Sequence, residues 1–340
     1  MAKPIARFWA ASMLAIACLA AQAGEHARSD GALIAATDFR GRELMLPHPA
    51  RRMVCLIESA LSGLYMLNVE DRVVGVPAVV YKGDVAPQYA AMDRRIREKV
   101  LPAPGNWDFV NIESVVALKP DLVIVWAQQK ESIASMEAAG LAVYGVDLNS
   151  FEDIYKEMHD FGKLTGATNR AQELVRYTRD ELKAFAQHPG RPTHDPVPAY
   201  FMWAQGPLET AGLKSTANDL LERAGARNIC RNPREHVVLN IETVLTANPK
   251  VVVMWHNERL DPGDVSSMAG WRSVAASKNK RIHELPSAFF CDFWTLKFQY
   301  AVKTVAVWCH PEKFADVDLA KEKRRMLESL YGPKGLECLK

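Results

Sequence analysis

The sequence predicts an α/β protein of two Rossmann-like lobes with parallel sheets, joined by one long α-helix, with a ligand cleft between the lobes. Three observations carry that expectation. A sixteen-residue device occurs twice, as NIESVVALKPDLVIVW at 111–126 and as NIETVLTANPKVVVMW at 240–255. Wholly apolar, β-branched runs alternate with helical segments in both halves, the pattern of parallel sheets covered on each face. Between the halves, apolar residues recur at helical spacing from Asn169 to Gln187.

In chain order, the first segment reads MAKPIARFWAASMLAIACLAAQAGEH. Lys3 and Arg7 form a positive n-region, Phe8 to Leu19 is mostly apolar, and Ala21-Gln22-Ala23 is a small-x-small cleavage site. This is the pattern of a signal peptide over 1–23, cleaved after Ala23, because the apolar run is too short to span a bilayer. A lipid anchor on Cys18 would call for Leu three residues earlier, and Ala15 stands there. No later segment reaches ~18 uninterrupted apolar residues. The mature chain is expected to be soluble and exported.

The N-terminal lobe is expected over 24–150. RMVCLIES (52–59) reads as a buried strand entering the helix ALSGLYML, and RVVGV (72–76) as a second strand. In the first copy of the repeat, Asn111 is a good N-cap and Glu113 falls in the first turn, where a negative charge suits the helix dipole. That helix ends before Pro120, and the strand DLVIVW follows; a short helix near Ser132–Ala138 then leads to GLAVYGVD (140–147). The connecting helix is expected within 151–192, with Ala171, Leu174, Val175, Leu182 and Phe185 on its apolar face and Pro189, Gly190 and Pro192 stopping it. The second lobe, 193–340, repeats the plan. It has a strand in PAYFMWAQG (198–206), a helix in TANDLLERAG (216–225), the second copy with Asn240, Glu242 and KVVVMW, and a late strand RIHEL (281–285).

Removing the leader takes away two of the 42 basic residues and none of the 40 acidic ones, leaving a balanced chain. Such a chain lacks the basic footprint of a nucleic-acid binder. Cys55, Cys230, Cys291, Cys309 and Cys338 match no CxxC spacing, so the sequence shows no zinc or iron–sulfur pattern. An oxidising compartment permits one or two disulfides among them, and sequence cannot pair them. No GxSxG, HExxH or P-loop pattern is present.

From about Arg51 to Gly332 the chain resembles the helical-backbone class of periplasmic substrate-binding proteins, which serve ABC importers of iron–siderophore complexes, haem and cobalamin. The block Asn111–Trp126 carries most of the likeness. The ending KFQYAVKTVAVWCHPEKFADVDLAKEKRRMLESLYG is similar to the closing helices of the iron-chelate branch. The resemblance implies a monomeric delivery protein rather than an enzyme, with no resident cofactor and a metal chelate as cargo. It also implies that one Glu on each lobe docks onto the two-fold transmembrane permease; the matching positions are Glu113 and Glu242. Doubling the device then has a purpose, since each lobe grips one half of the permease.

Ligands of open α/β sheets sit beyond the carboxyl ends of the strands. Trp126 and Trp255 close equivalent strands, with Gln128 and His256–Asn257 directly after them. Trp203 and Gln205 end the first strand of the second lobe, and FFCDFW (289–294) supplies Phe290 and Trp294 just past the last strand. Tyr81 and Trp107 stand where the family contacts ligand. An aromatic cleft suits a large, flat chelate held by stacking and a few polar contacts. Lys82, Arg94, Arg95 and Lys214 are candidates for meeting acidic groups of such a chelate, and His256 for a metal edge.

A ferric siderophore is the expected cargo, with cobalamin, haem or a molybdate-type oxyanion as alternatives; an oxyanion calls for a tight nest of donors instead of a wide aromatic cleft. A different class of reading is a bilobed chelatase, for which His256 with Glu258 is the one neighbouring pair on offer. A third is a binding protein that signals to a membrane sensor.

Overall fold

This computed structural model describes residues 33–189 and 196–340, so the signal peptide and its cleavage site, Gly190 and Pro192 lie outside the described residues. The first element is a hairpin that the sequence reading did not foresee. Strand β1 (Ile34–Thr37) pairs antiparallel with β2 (Glu43–Leu46). Asp38 shapes the turn, its Oδ1 accepting from the backbone N–H of Arg40 at 2.9 Å and of Arg42 at 3.0 Å. Gly41 completes it at φ 77°, a left-handed conformation that costs a glycine little.

The N-terminal sheet contains β3 (Met53–Cys55), β4 (Val73–Gly75), β5 (Leu122–Trp126) and β6 (Val143–Val146), all parallel, in the order β4-β3-β5-β6. Every residue of these strands is buried except Val74 and Trp126, which are half-buried. That accounts for the uninterrupted apolar runs, since a sheet covered on both faces has no polar side. The second sheet contains β7 (Val197–Met202), β8 (Glu209–Ala211), β9 (Ala226–Asn228), β10 (His236–Val238), β11 (Val251–Met254) and β12 (Ile282–Glu284). Here β7, β9, β11 and β12 are parallel, and β8 and β10 run antiparallel at one edge.

The edge formed by β8 and β10 depends on a close backbone approach. Gly212, one residue past β8, donates its N–H to Glu235 O at 2.8 Å. A Cβ there would lie 2.0 Å from Arg234 O and 2.7 Å from Asn232 O. Gly212→Ala is therefore expected to force the two segments apart, at a cost of ~1–3 kcal/mol. Urea unfolding measures it, and an unchanged midpoint would show that the 232–235 segment yields freely.

The stretch expected as one connecting helix over 151–192 holds two helices, Phe151–Thr165 and Thr168–Ala186. Ser150 and Asp153 close a capping box at the start of the first. Gly166, at φ 75°, ends it in the left-handed conformation of a helix C-terminus. The second is the long linking helix, and it buries Ala171, Leu174, Val175, Leu182 and Phe185 as its periodicity required. One continuous apolar core joins the N-terminal sheet, both of these helices and the inner face of the second sheet. Phe151 stacks on Phe298 at 3.9 Å within it, and two smaller cores lie against the outer faces of the sheets.

The permitted disulfides do not form: all five described cysteines carry free thiols, four of them buried. Burial in separate parts of the apolar interior pushes the thiols of Cys291 and Cys309 up to about 12.

Candidate functional site

Each sheet changes the direction of its strand order at one place. In the N-terminal sheet, β4 and β5 flank β3 on opposite sides. In the second, β8 and β9 share one side of β7 and β11 takes the other. Such switch points open a crevice beyond the strand carboxyl ends. The segments leaving β3, β5 and β11 meet there around a cleft of about 870 Å³. Its walls include Leu56–Ser59, Trp126 and residues 128–132 from one lobe, and Trp255, Ala288, Asp292 and Trp294 from the other. That volume holds a drug-sized chelate.

Of the eight candidate ligand residues, the structure brings Trp107, Trp126, Trp255 and Trp294 to the cleft, together with Gln128. Trp255 lies edge-on to Trp294 at 5.4 Å and to Phe293 at 4.8 Å. Trp107 stands 67% exposed at the opposite wall. The other four do not line the cleft. Trp203 is buried behind the wall, parallel to Trp294 at 5.9 Å. Tyr81 turns its hydroxyl to donate to Leu101 O at 2.7 Å. Phe290 packs on Phe289 with the Lys323 ammonium 4.8 Å from its ring centre.

His256 is held between acids, its Nδ1 3.1 Å from Glu284 Oε1 and its Nε2 3.8 Å from Asp84 Oδ2. Neither it nor Glu258 reaches the cleft wall, so the pair considered for a chelatase is not assembled there. The basic candidates are also elsewhere. Arg95 pairs with Asp93 at 2.7 Å, Arg94 with Glu98 at 2.8 Å, and neither Lys82 nor Lys214 lines the cleft.

The sequence reading missed the polar floor. Glu58 opens the helix Glu58–Met66 directly after β3, and its Oε1 accepts from the Tyr89 hydroxyl at 2.8 Å. Asp292 is 3% exposed; its Oδ1 accepts from the Trp294 N–H at 2.9 Å, and its Oδ2 has no hydrogen-bond partner. Lys297 is fully buried, its Nζ 4.0 Å from Asp292 Oδ2 and 4.1 Å from the Phe289 ring centre. Burial pushes the Asp292 carboxyl up to about 7, Lys297 opposing and Glu58 and Asp84 adding. Burial likewise raises Glu58, against the pull of Lys297 and Tyr89. For Lys297 burial works downward, but Tyr331, Asp292 and Glu58 outweigh it and hold the ammonium above its usual range. Asp84 ties the lobes together at this depth, its Oδ2 accepting from Ser287 Oγ at 3.1 Å and Ala288 N at 2.7 Å. Among the described residues, no group of three or more His, Cys, Asp or Glu side chains is placed to hold a metal ion.

The repeated device is built alike in both lobes. Asn111 Oδ1 accepts from Ser114 N at 2.9 Å, and Asn240 Oδ1 from Thr243 N at 2.8 Å. The helices Ile112–Ala117 and Ile241–Ala247 follow, with Glu113 and Glu242 exposed in their first turns and Val115 and Val244 buried below. Each helix leads into a parallel strand of its sheet and so runs against it. Its first turn therefore lies at the strands' carboxyl end, the end that carries the cleft.

Two α/β lobes with facing switch points and a shared aromatic cleft define a bilobed binding protein. Residues 53–289 match the family described as "Periplasmic binding protein", and the chain belongs to that family. Its members deliver small ligands to ABC permeases and are binding proteins rather than enzymes. YvrC, an ABC transporter substrate-binding lipoprotein of Bacillus subtilis, is 26% identical over 298 residues, covering 83% of this chain and 90% of the relative. The molybdate-binding protein MolA of Haemophilus influenzae is 24% identical over 344 residues, covering 94% and 95%. Its molybdate-bound crystal structure superimposes with a TM-score of 0.74 at 22% identity, over 87% of this chain and 97% of that one. A vitamin B12-binding protein of Vibrio parahaemolyticus is 22% identical over 247 residues, covering 72% and 84%.

Proposed function

We propose that this chain captures a metal chelate, a ferric siderophore before cobalamin or haem, and hands it to an ABC importer through Glu113 and Glu242. The observation that carries the chelate reading is the pair of facing aromatic walls, Trp107 and Trp126 on one lobe and Trp255 and Trp294 on the other. Aromatic faces take up large planar or apolar surfaces by burial and stacking. The signal-peptide pattern at 1–23 and the periplasmic relatives support export to the periplasm.

Docking through both lobes draws support from the equivalence of the two first turns. In each, an exposed apolar residue follows the Glu three positions later, Val116 at 38% and Leu245 at 37% exposure. Residues three apart share one helix face, so each lobe presents a carboxylate beside an apolar contact. The carboxylates suit arginines of a permease, and the apolar neighbours suit the desolvated part of an interface. Acting as a monomer, one binding protein thus spans both halves of a two-fold partner.

The test is a tryptophan-fluorescence titration of the mature protein with a ferric hydroxamate, a ferric catecholate, cobalamin, haem and molybdate. Saturable quenching by one chelate below about 1 μM is the expected result, corresponding to roughly −8 kcal/mol. Trp126→Ala and Trp255→Ala are each expected to weaken it about tenfold or more, since stacked aromatics contribute about 0.5–1.5 kcal/mol beyond the area they bury. If no chelate quenched and molybdate did, the cargo would be an oxyanion, as the name of MolA states for that protein.

A further inference from the structure

Four of the large apolar side chains that stand exposed among the described residues belong to the repeated device, at the same offsets in each copy. Val116 and Leu245 lie five residues after the capping asparagines. Phe109 and Val238 lie two residues before them, 54% and 64% exposed. Single apolar residues at a surface are ordinary. One burial order recurring along nine residues in both lobes is not. From 109 to 117 and from 238 to 246, each exposed, half-buried or buried position in one copy has the same state in the other. The alternation that opens each copy follows from extended backbone, in which neighbouring side chains point to opposite sides. Val110 and Ile112, like Leu239 and Ile241, pack inward on the two small outer cores. Phe109 and Val238 therefore share the outward side with Asn111 and Asn240, and the exposed Glu113 and Glu242 follow two residues on. Both backbones are held: Asn106 N donates to Phe109 O at 2.8 Å, and Val238 pairs with Glu209 in the β8–β10 edge. A contact residue fixed in advance loses little freedom on binding.

Resting on the docking reading above, we propose that Phe109 and Val238 are apolar anchors of the permease interface, one per lobe, each seating in an apolar socket beside a basic residue of the partner. The partner is an integral membrane protein that presents the same socket twice. The carboxylate in each patch calls for a basic group opposite it. A second copy of this chain, meeting patch on patch, would set carboxylate against carboxylate, a juxtaposition that disfavours association. One continuous core joins the two sheets and holds the patches at a fixed separation. A partner that repeats its socket at that spacing engages both at once, and the second contact forms as an intramolecular one.

Site-specific photocrosslinking of the full chain, in the cells that produce it, tests this. A benzophenone side chain is placed singly at position 109, 116, 238 or 245. Met45 and Val100, exposed apolar residues outside the device, serve as control positions. Positions 109 and 238 are expected to crosslink to one and the same integral membrane protein, at least tenfold more than the controls. Adding Glu113→Lys and Glu242→Lys should remove both crosslinks. With the probe at 116, Phe109→Ser together with Val238→Ser should lower the yield at least tenfold; both residues are exposed, so the core is left intact. An unchanged yield refutes the anchoring role. Crosslinks from 116 and 245 with none from 109 and 238 overturn the anchors and leave docking through the acids in place. Crosslinks from none of the four overturn docking through this face and this inference with it. A crosslinked dimer of the chain, or equal yield from the controls, also refutes the proposal.

Discussion

Replacing Glu113 and Glu242 together by lysine is expected to abolish delivery of the cargo, lowering uptake at least 100-fold, while ligand affinity stays within twofold. Both carboxylates are exposed, and neither lines the cleft. Each reversal places a positive charge at a helix N-terminus, which costs only about 0.3–1 kcal/mol, so the protein should remain folded. Either single reversal is expected to leave partial transport, because one lobe still docks. Uptake into cells carrying the matching permease, measured beside the titration, separates the effects. A collapse of ligand affinity would place these residues in the binding site rather than on the permease face.

The second large effect is expected beneath the cleft. Lys297→Met removes the ammonium that lowers both Glu58 and Asp292, and Met refills most of the volume. Removing one partner of a buried charge pair typically costs about 3–5 kcal/mol, because the other charge is left uncompensated. The loss should depend on pH, and its sign follows from the direction of the shifts. Asp292 is raised to about 7 in the folded protein, far above the ordinary range of ~3.9 in an unfolded chain. Between these values the folded state binds more protons than the unfolded one, so stability falls as pH rises. At pH 5 Asp292 is mostly neutral and Lys297 has less charge to compensate; at pH 8 it is ionised. The groups facing Asp292 are Glu58, Lys297 and Asp84, and Glu157 lies near enough to feel its charge. Urea unfolding should show the full loss at pH 8 and about 1 kcal/mol at pH 5, that remainder being a packing cost. Equal losses at both pH values would mean that the ammonium compensates neither acid. Adding Asp292→Asn to Lys297→Met should recover much of the loss at pH 8, a coupling that two independent sites would not show.

The elements read most surely from sequence were those whose signal is local. The repeated Asn cap with a Glu in the first turn, followed by Pro and a β-branched run, marks the same helix–strand unit twice, and both units form. The linking helix showed its buried face through spacing alone. Its predecessor runs into it in the sequence pattern because a single Gly166, with no proline beside it, divides the two. The strands β8, β9 and β10 were missed for another reason. Each is three residues long and mixes polar with apolar residues (ETA, ARN and HVV), so no apolar run marks it as one marks the equally short β3 and β4. It is held by pairing with residues distant in the chain.

In the cleft, the tryptophans at strand ends were legible because topology fixes where a strand end points. Trp203 satisfied the same rule and nevertheless went behind the wall, since the ring of Trp294 covers it. The acids of the floor stand in the quoted segments, Glu58 in RMVCLIES and Asp292 in FFCDFW, but nothing in their local pattern sets them apart from other polar positions. What gives them meaning is the burial of Lys297 near enough to lower both. That is a tertiary fact with no local trace.

The two aromatic walls differ in how much freedom they retain. Trp255 is flanked by Trp203, Phe293 and Trp294, and Trp203 by Phe201 and Trp294, all with ring centres between 4.7 and 6.2 Å. Those rings have already lost their rotamer entropy on folding. Trp107, across the cleft and 67% exposed, has not. The ordering cost of capture, ~0.5–1.5 kcal/mol per immobilised side chain, therefore falls on the N-terminal lobe. The C-terminal wall is a rigid landing surface, and the opposite tryptophan is the part that must settle.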